Sequence, residues 1–102
     1  MSNPAFTLEG DTLTLEGLLS VETVSQYQSI GNDALAKAAK GLVVDLGVAE
    51  IIGSAPIALL IAWQRRAISL DKSYELVNAP PHFLEIARVS GVLEILPFTQ
   101  IS

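Results

Sequence analysis

Near the start of the chain apolar and polar residues alternate one by one. Further along they fall into longer, helix-spaced runs, and that change of period sets the expected fold. Ala5 to Leu8 is a short apolar stretch, Gly10-Asp11 reads as a turn, and Thr12 to Glu16 runs Thr-Leu-Thr-Leu-Glu. Alternation at period two with threonines on the outer positions is the pattern of a half-buried strand, so the opening predicts a hairpin. Ser20 stands where it would cap a helix beginning at Val21, with Val24, Tyr27 and Gln28 following at helical spacing. Gly31-Asn32-Asp33 is expected to interrupt that pattern, after which Ala34 to Lys40 favours helix again.

After Gly41, the run Leu42-Val43-Val44-Asp45-Leu46 is short and nearly all apolar, the composition of a central strand buried on both faces. Val48 to Gly53 is expected to be a loop held by two apolar anchors, Ile51 and Ile52. A second helix is predicted from Ala55 to about Ser69, with Ile57, Leu60, Ile61 and Ile68 forming the stripe that packs on the sheet. Tyr74 to Val77 is another strand. Pro80-Pro81 opens a third helix through Val89, because proline suits a first helical turn and not an interior. Gly91 to Leu96 is a closing turn of helix, and Pro97 to Ile101 an edge strand or a loose tail.

The expected order is therefore β-β-α-β-α-β-α with the last element open. Strands alternating with helices imply an α/β fold: a small mixed, mostly parallel sheet of about four to five strands with helices packed on it. No repeat, linker or low-complexity tract divides the chain, so residues 1–102 are expected to form one domain.

Composition narrows the function classes. Half of the residues are hydrophobic and 17% are charged, which fits a compact core and argues against disorder. The formal net charge of -5 repels phosphate backbones and anionic headgroups, so neither nucleic acid nor a membrane surface is expected as a partner. With no cysteine, thiol chemistry and thiolate metal sites are excluded. The opening residues show no basic stretch followed by an apolar run. The longest apolar run, Ala55 to Trp63, ends at Gln64-Arg65-Arg66, far short of the roughly 20 residues a bilayer span needs. The expected location is the cytoplasm, with no direct membrane insertion.

Catalytic groups are sparse. His82, the single histidine, sits between Pro81 and Phe83 at a helix start and is read as structural or exposed. Asp45 follows an apolar strand, where its carboxylate is expected to satisfy loop amides. The loop Gly47 to Ser54 has glycines at both ends but lacks the Gly-Lys-Ser/Thr of a phosphate-binding loop, so no nucleotide site follows. No metal, cofactor or enzymatic activity is expected.

Ser54 draws more interest. It stands between Gly53 and Ala55-Pro56, immediately ahead of the apolar helix. One reading is a helix cap, its hydroxyl accepting a hydrogen bond from a first-turn amide. The other places Ser54 on an exposed rim read by a partner. A phosphate there would meet a positive helix end, while its charge would be costly in an apolar interface, which makes a binding switch. Leu59 and Trp63 lie one turn apart on the same helix, off the Ile57-Leu60-Ile61 stripe. Leu59 is assigned to the core, and Trp63 is left open between core and interface anchor.

Several motifs in order resemble one family. Leu42-Val43-Val44-Asp45-Leu46 followed by Ile52-Gly53-Ser54-Ala55-Pro56-Ile57-Ala58-Leu59-Leu60 is similar to the STAS domain pattern of a Val-Val-Asp-Leu strand, a loop and Asp-Ser-Ala-Gly-Leu-Ala-Leu-Leu. Leu76 to Pro80, then Leu84 to Pro97, resembles the closing strand and helix of that family. The likeness implies a STAS-like fold and a non-catalytic docking role, with Ser54 as partner contact or phosphoacceptor and Gly53, Ala55, Pro56 and Trp63 as flanking contacts. Two departures stand out: Gly53 replaces the usual aspartate and Pro56 the usual glycine.

In the anti-sigma factor antagonists of the family, a partner serine kinase phosphorylates this serine with the help of that aspartate. Its absence turns the resemblance toward the stand-alone STAS subunits of Mla-type phospholipid ABC transporters, also called toluene-tolerance proteins. Those subunits bind the transporter's cytosolic ATPase. The partner implied is therefore an ABC-transporter ATPase subunit at the inner face of the inner membrane, and the alternative is an anti-sigma factor serine kinase.

Overall fold

The computed structural model describes residues 4–99. Strands β1 (Phe6–Glu9) and β2 (Thr12–Leu15) form the expected hairpin, turned at Gly10 and paired antiparallel with Leu8 opposite Leu13. A two-residue strand β3 (Leu18–Leu19) follows, then helix α1 (Val24–Lys37), strand β4 (Gly41–Asp45) and a second two-residue strand β5 (Glu50–Ile51). Helix α2 (Ala55–Ser69), strand β6 (Ser73–Val77), helix α3 (Pro81–Val89) and the edge strand β7 (Phe98–Thr99) complete the chain. The main sheet has the order β1-β2-β4-β6-β7, antiparallel at the hairpin and parallel thereafter. This is the mixed, mostly parallel α/β architecture expected from the alternation of elements. Of the tail from Pro97 to Ile101, residues 98–99 are the edge strand and residues 100–101 lie outside the described residues. Residues 92–96 form a turn closed by the Ile95 and Leu96 amides on the Val92 carbonyl.

Strand order rises monotonically from β2 to β7, and right-handed crossovers in one direction put all three helices on one face of the sheet. Alternation does the rest. Leu13, Leu15, Leu42, Val44 and Leu76 point to that face and join Tyr27, Leu35, Leu60, Trp63 and Phe83 in one core. The opposite face presents Thr7, Thr12, Thr14, Val43, Glu75, Val77 and Thr99, all half-buried or exposed. β4 is central as expected, but only one of its faces is covered by helices. Its apolar composition comes from Leu42 and Val44 inside and a half-buried Val43 outside.

Three local expectations are corrected. Helix α1 begins at Val24 and not at Val21, because the Ser20 carbonyl closes a turn on the Thr23 and Val24 amides, both at 3.0 Å. The Ser20 hydroxyl donates to Glu22 and caps nothing. Gly31-Asn32-Asp33 does not interrupt the helix either. Gly31 is buried against Trp63, where any Cβ would overlap the indole, so the glycine admits a neighbouring helix. Third, the buried stripe of α2 is Pro56, Ile57, Leu59, Leu60, Trp63 and Ala67, and Ile68 is 70% exposed. The stripe is centred on Leu60 and Trp63, and Ile68 lies to one side of it.

Trp63 is fully buried, and its Nε1 donates to the Gln28 carbonyl of α1 at 3.2 Å. That bond satisfies the one polar atom a buried indole carries. Lys72 donates to the Leu35 and Ala36 carbonyls, at 2.6 and 3.1 Å. A cation there pairs the last carbonyls of α1 and opposes the negative end of its dipole.

Candidate functional site

The carboxyl ends of β4 and β6 and the amino ends of α2 and α3 come together at one edge of the sheet, the position where open α/β sheets present their loops. Asp45, at the end of β4, accepts from the Gly47 amide at 2.8 Å and from Asn78 Nδ2 at 3.1 Å. The carboxylate satisfies a loop amide, as its place in the sequence suggested. It also ties the loop after β4 to Asn78, which follows β6 in the left-handed conformation (φ 59°).

From there the chain passes through exposed Val48 to β5, which pairs parallel with β3, Leu19 opposite Ile51. Ile51 is buried and anchors the loop, but Ile52 is 53% exposed and anchors nothing. Consecutive residues of an extended segment face opposite sides, so only one of the two isoleucines reaches the core. Gly53 has φ +74° with open space around its missing Cβ, so backbone conformation and not crowding requires a glycine there.

Ser54 follows, exposed, at the N-cap position of α2. Its carbonyl accepts from the Ile57 amide at 3.0 Å, but its side chain makes no capping hydrogen bond. Its φ and ψ of −102° and −8° are near-helical, whereas a side-chain cap normally needs the extended region. No acidic residue lies in the first turn of α2. The positive end of the helix is therefore open to an incoming anion or acceptor.

The five residues singled out from sequence separate by depth. Gly53 and Ser54 lie at the surface, Ala55 is half-buried, and Pro56 and Trp63 are buried. Trp63 is a core residue holding α1 against α2 and takes no place on the rim. Beside Ala55 a groove of about 260 Å³ runs between α1 and α2, lined by Val24, Gln28, Ala58 and Ala62 among others.

Sequence reasoning missed two features of the rim. Ile52 was legible, since period-two alternation beyond Ile51 points it outward. His82 was not: its Nε2 lies 3.0 Å from the Ile51 carbonyl, a contact between residues 31 positions apart. Among the described residues no group of three or more His, Cys, Asp or Glu could hold a metal ion, and no helix is long and apolar enough to cross a membrane.

Solved structures of similar fold include the anti-sigma factor antagonist SpoIIAA in its unphosphorylated form. It shares 19% identity with this chain at a TM-score of 0.73, over 96% of this chain and 89% of that one. An anti-sigma-factor antagonist (STAS) domain protein from Planctomyces limnophilus shares 22% at 0.72, over 99% and 92%. RsbS of Moorella thermoacetica, solved with a serine-to-glutamate substitution, shares 18% at 0.67, over 99% and 89%. At these identities the likeness is one of fold. No curated protein sequence matches the chain. The family model described as Mlab, STAS domain, matches residues 2–97. With that match over nearly its whole length, and with the fold to go with it, the chain belongs to the Mlab-type STAS domain family.

Proposed function

We propose that this STAS domain is a non-catalytic docking subunit whose contact surface is centred on Ser54. Its proposed partner is the cytosolic ATPase of an Mla-type phospholipid ABC transporter, the kind of system that maintains outer-membrane lipid asymmetry. The observation that carries the reading is the exposed Ser54, which has no side-chain capping bond and stands next to exposed Ile52 at the open end of α2. A hydroxyl with no intrahelical job, beside an apolar side chain, is suited to recognition. The match to the Mlab family model supports the transporter as the setting. In this reading the protein is cytoplasmic and held at the inner face of the inner membrane by its partner.

The reading assigns the chain no chemistry of its own. A serine needs an adjacent base to become a nucleophile, and the one histidine has its Nε2 on the Ile51 carbonyl.

A second reading, an anti-sigma factor antagonist controlled by a partner serine kinase, draws support from the names of the structural neighbours. Gly53, where that branch has an acid, weighs against it. Affinity capture of the tagged full-length chain from its native cells separates the two. The transporter reading expects an ABC ATPase and its permease, the second a small serine kinase. Capture of the kinase without the ATPase would overturn the first reading.

A further inference from the structure

The two-residue strand β5 is a weak mount for the residues it carries. It is paired on one side only, where the Glu50 amide donates to the Gly17 carbonyl at 3.1 Å and the Ile52 amide to the Leu19 carbonyl at 2.9 Å. Two-stranded ribbons are marginal in isolation even when much longer. Residues 50 and 52 direct their backbone groups toward β3, so Ile51, between them, directs its own toward the opposite, unpaired edge. Among the described residues no strand lies there, and His82 does, with Nε2 at 3.0 Å from the Ile51 carbonyl.

His82 is exposed, and what is firmly placed is the backbone that carries it. His82 is the second residue of α3, next to Phe83, which is fully buried and meets Phe98 edge-on with ring centroids 6.1 Å apart. α3 is thus fixed in the core, and His82 passes that fixity to β5. Ile51 is the last buried residue before Ser54, and the chain between them passes through Ile52 and the left-handed Gly53.

We infer that His82 is a positioning residue for the docking surface: its hydrogen bond to Ile51 holds the Ile52-Gly53-Ser54 turn in the geometry the partner meets. The inference rests on the reading of Ser54 as the contact. Pre-ordering a loop removes its ordering entropy from the cost of binding, so the tether acts on affinity without itself touching the partner. A carbonyl only accepts, so Nε2 must carry a proton. The neutral Nε2–H tautomer and the imidazolium both satisfy this, and the neutral Nδ1–H tautomer does not.

Three measurements on the full-length chain test it. His82 is the only histidine, so an imidazole ¹⁵N–¹H correlation spectrum reports it directly, and the neutral ring is expected as the Nε2–H tautomer. Finding the Nδ1–H tautomer would overturn the tether. In hydrogen exchange, His82→Ala is expected to speed the Glu50 and Ile52 amides by about three- to tenfold, the range of one lost hydrogen bond, and His82→Gln to restore most of it. Unchanged exchange in His82→Ala overturns the inference without reference to any partner. Affinity for the captured ATPase should fall in His82→Ala and recover in His82→Gln. If exchange responds while affinity does not, and Ser54→Glu still abolishes binding, the positioning role is refuted and the docking reading stands. If Ser54→Glu also leaves affinity unchanged, the docking reading fails, and the positioning role with it.

Discussion

Gly31 of α1 and Trp63 of α2 occupy one volume: a Cβ built on Gly31 would overlap the indole carbons, and the indole nitrogen bonds the Gln28 carbonyl one turn away. The missing side chain is what lets the two helices approach. Gly31→Ala therefore sets two effects against each other. Alanine is the better helix former by about 1 kcal/mol. Overpacking a filled core costs about 1–3 kcal/mol, more where a ring cannot move. Net destabilisation is expected in denaturant melts, with Trp63 fluorescence altered in the native state. A variant as stable as the parent would show that the helices adjust freely and that Gly31 is not required by packing.

Ser54→Ala should be nearly silent for the fold, within about 0.5 kcal/mol, because the serine side chain makes no capping bond. Loss of a true cap would cost about 1 kcal/mol. Ser54→Glu should also fold, since a carboxylate is favourable at a helix N-terminus. Against the captured partner the two should diverge, the glutamate weakening binding far more because its charge would be buried unpaired. Melting temperatures measured beside affinities check both halves, and a glutamate variant that binds like wild type would remove Ser54 from the interface.

Tyr74 gives a prediction at alkaline pH. Its hydroxyl donates to the Leu60 carbonyl at 3.1 Å, and burial pushes its pKa far above the ordinary tyrosine value. A raised folded pKa means the protonated phenol is favoured in the folded state. Its contribution is complete below the unfolded pKa of about 10 and is lost as pH rises beyond it. Tyr74→Phe should lose about 0.5–1.5 kcal/mol near neutrality with the hydrogen bond. The same variant should then show a shallower fall of stability above pH ~10. Parallel curves for the two proteins in that range would contradict the burial of the phenol.

Glu85 and Arg88, one turn apart on α3, form an exposed ion pair, and the hydrogen bond from Arg88 holds the Glu85 carboxyl below its usual range. A depressed carboxylate pKa stabilises above the unfolded value and loses that contribution as pH falls through the folded value. The pair is too exposed to matter globally. NMR titration should find Glu85 low in the wild type and shifted upward in Arg88→Ala, with melting temperatures unchanged. An unshifted Glu85 in that variant would mean the pairing is absent in solution.

The closing helix and the hairpin were legible in the sequence because local chemistry dictates them. Proline fixes the backbone of a first helical turn, and Pro80-Pro81 opens α3 as expected. Leu13 and Leu15 alternate with threonines and point inward. α2 runs from Ala55 to Ser69 as its apolar content implied. The start of α1 is not set by local residue type: serine is a common helix cap, but at Ser20 a backbone turn through its carbonyl to the Thr23 and Val24 amides takes the position instead.

Local pattern thus determined the three helices, the strands of the main sheet and the placement of Ser54 ahead of α2, since each depends on residues within a turn or two of one another. It did not determine the short strands β3 and β5, the second of which lies in the expected loop from Val48 to Gly53. Only the tertiary structure decided which apolar residues are used. Gly31 looked like a break until Trp63, 32 residues on, filled its place, and that contact took Trp63 off the surface. Ile51 and Ile52 are chemically alike, and the pairing of β5 with β3 sends one into the core and leaves the other on the rim. The bond from His82 to Ile51 joins two loops that no local pattern relates. Such contacts arise where distant segments meet, and periodicity carries information only about neighbours along the chain.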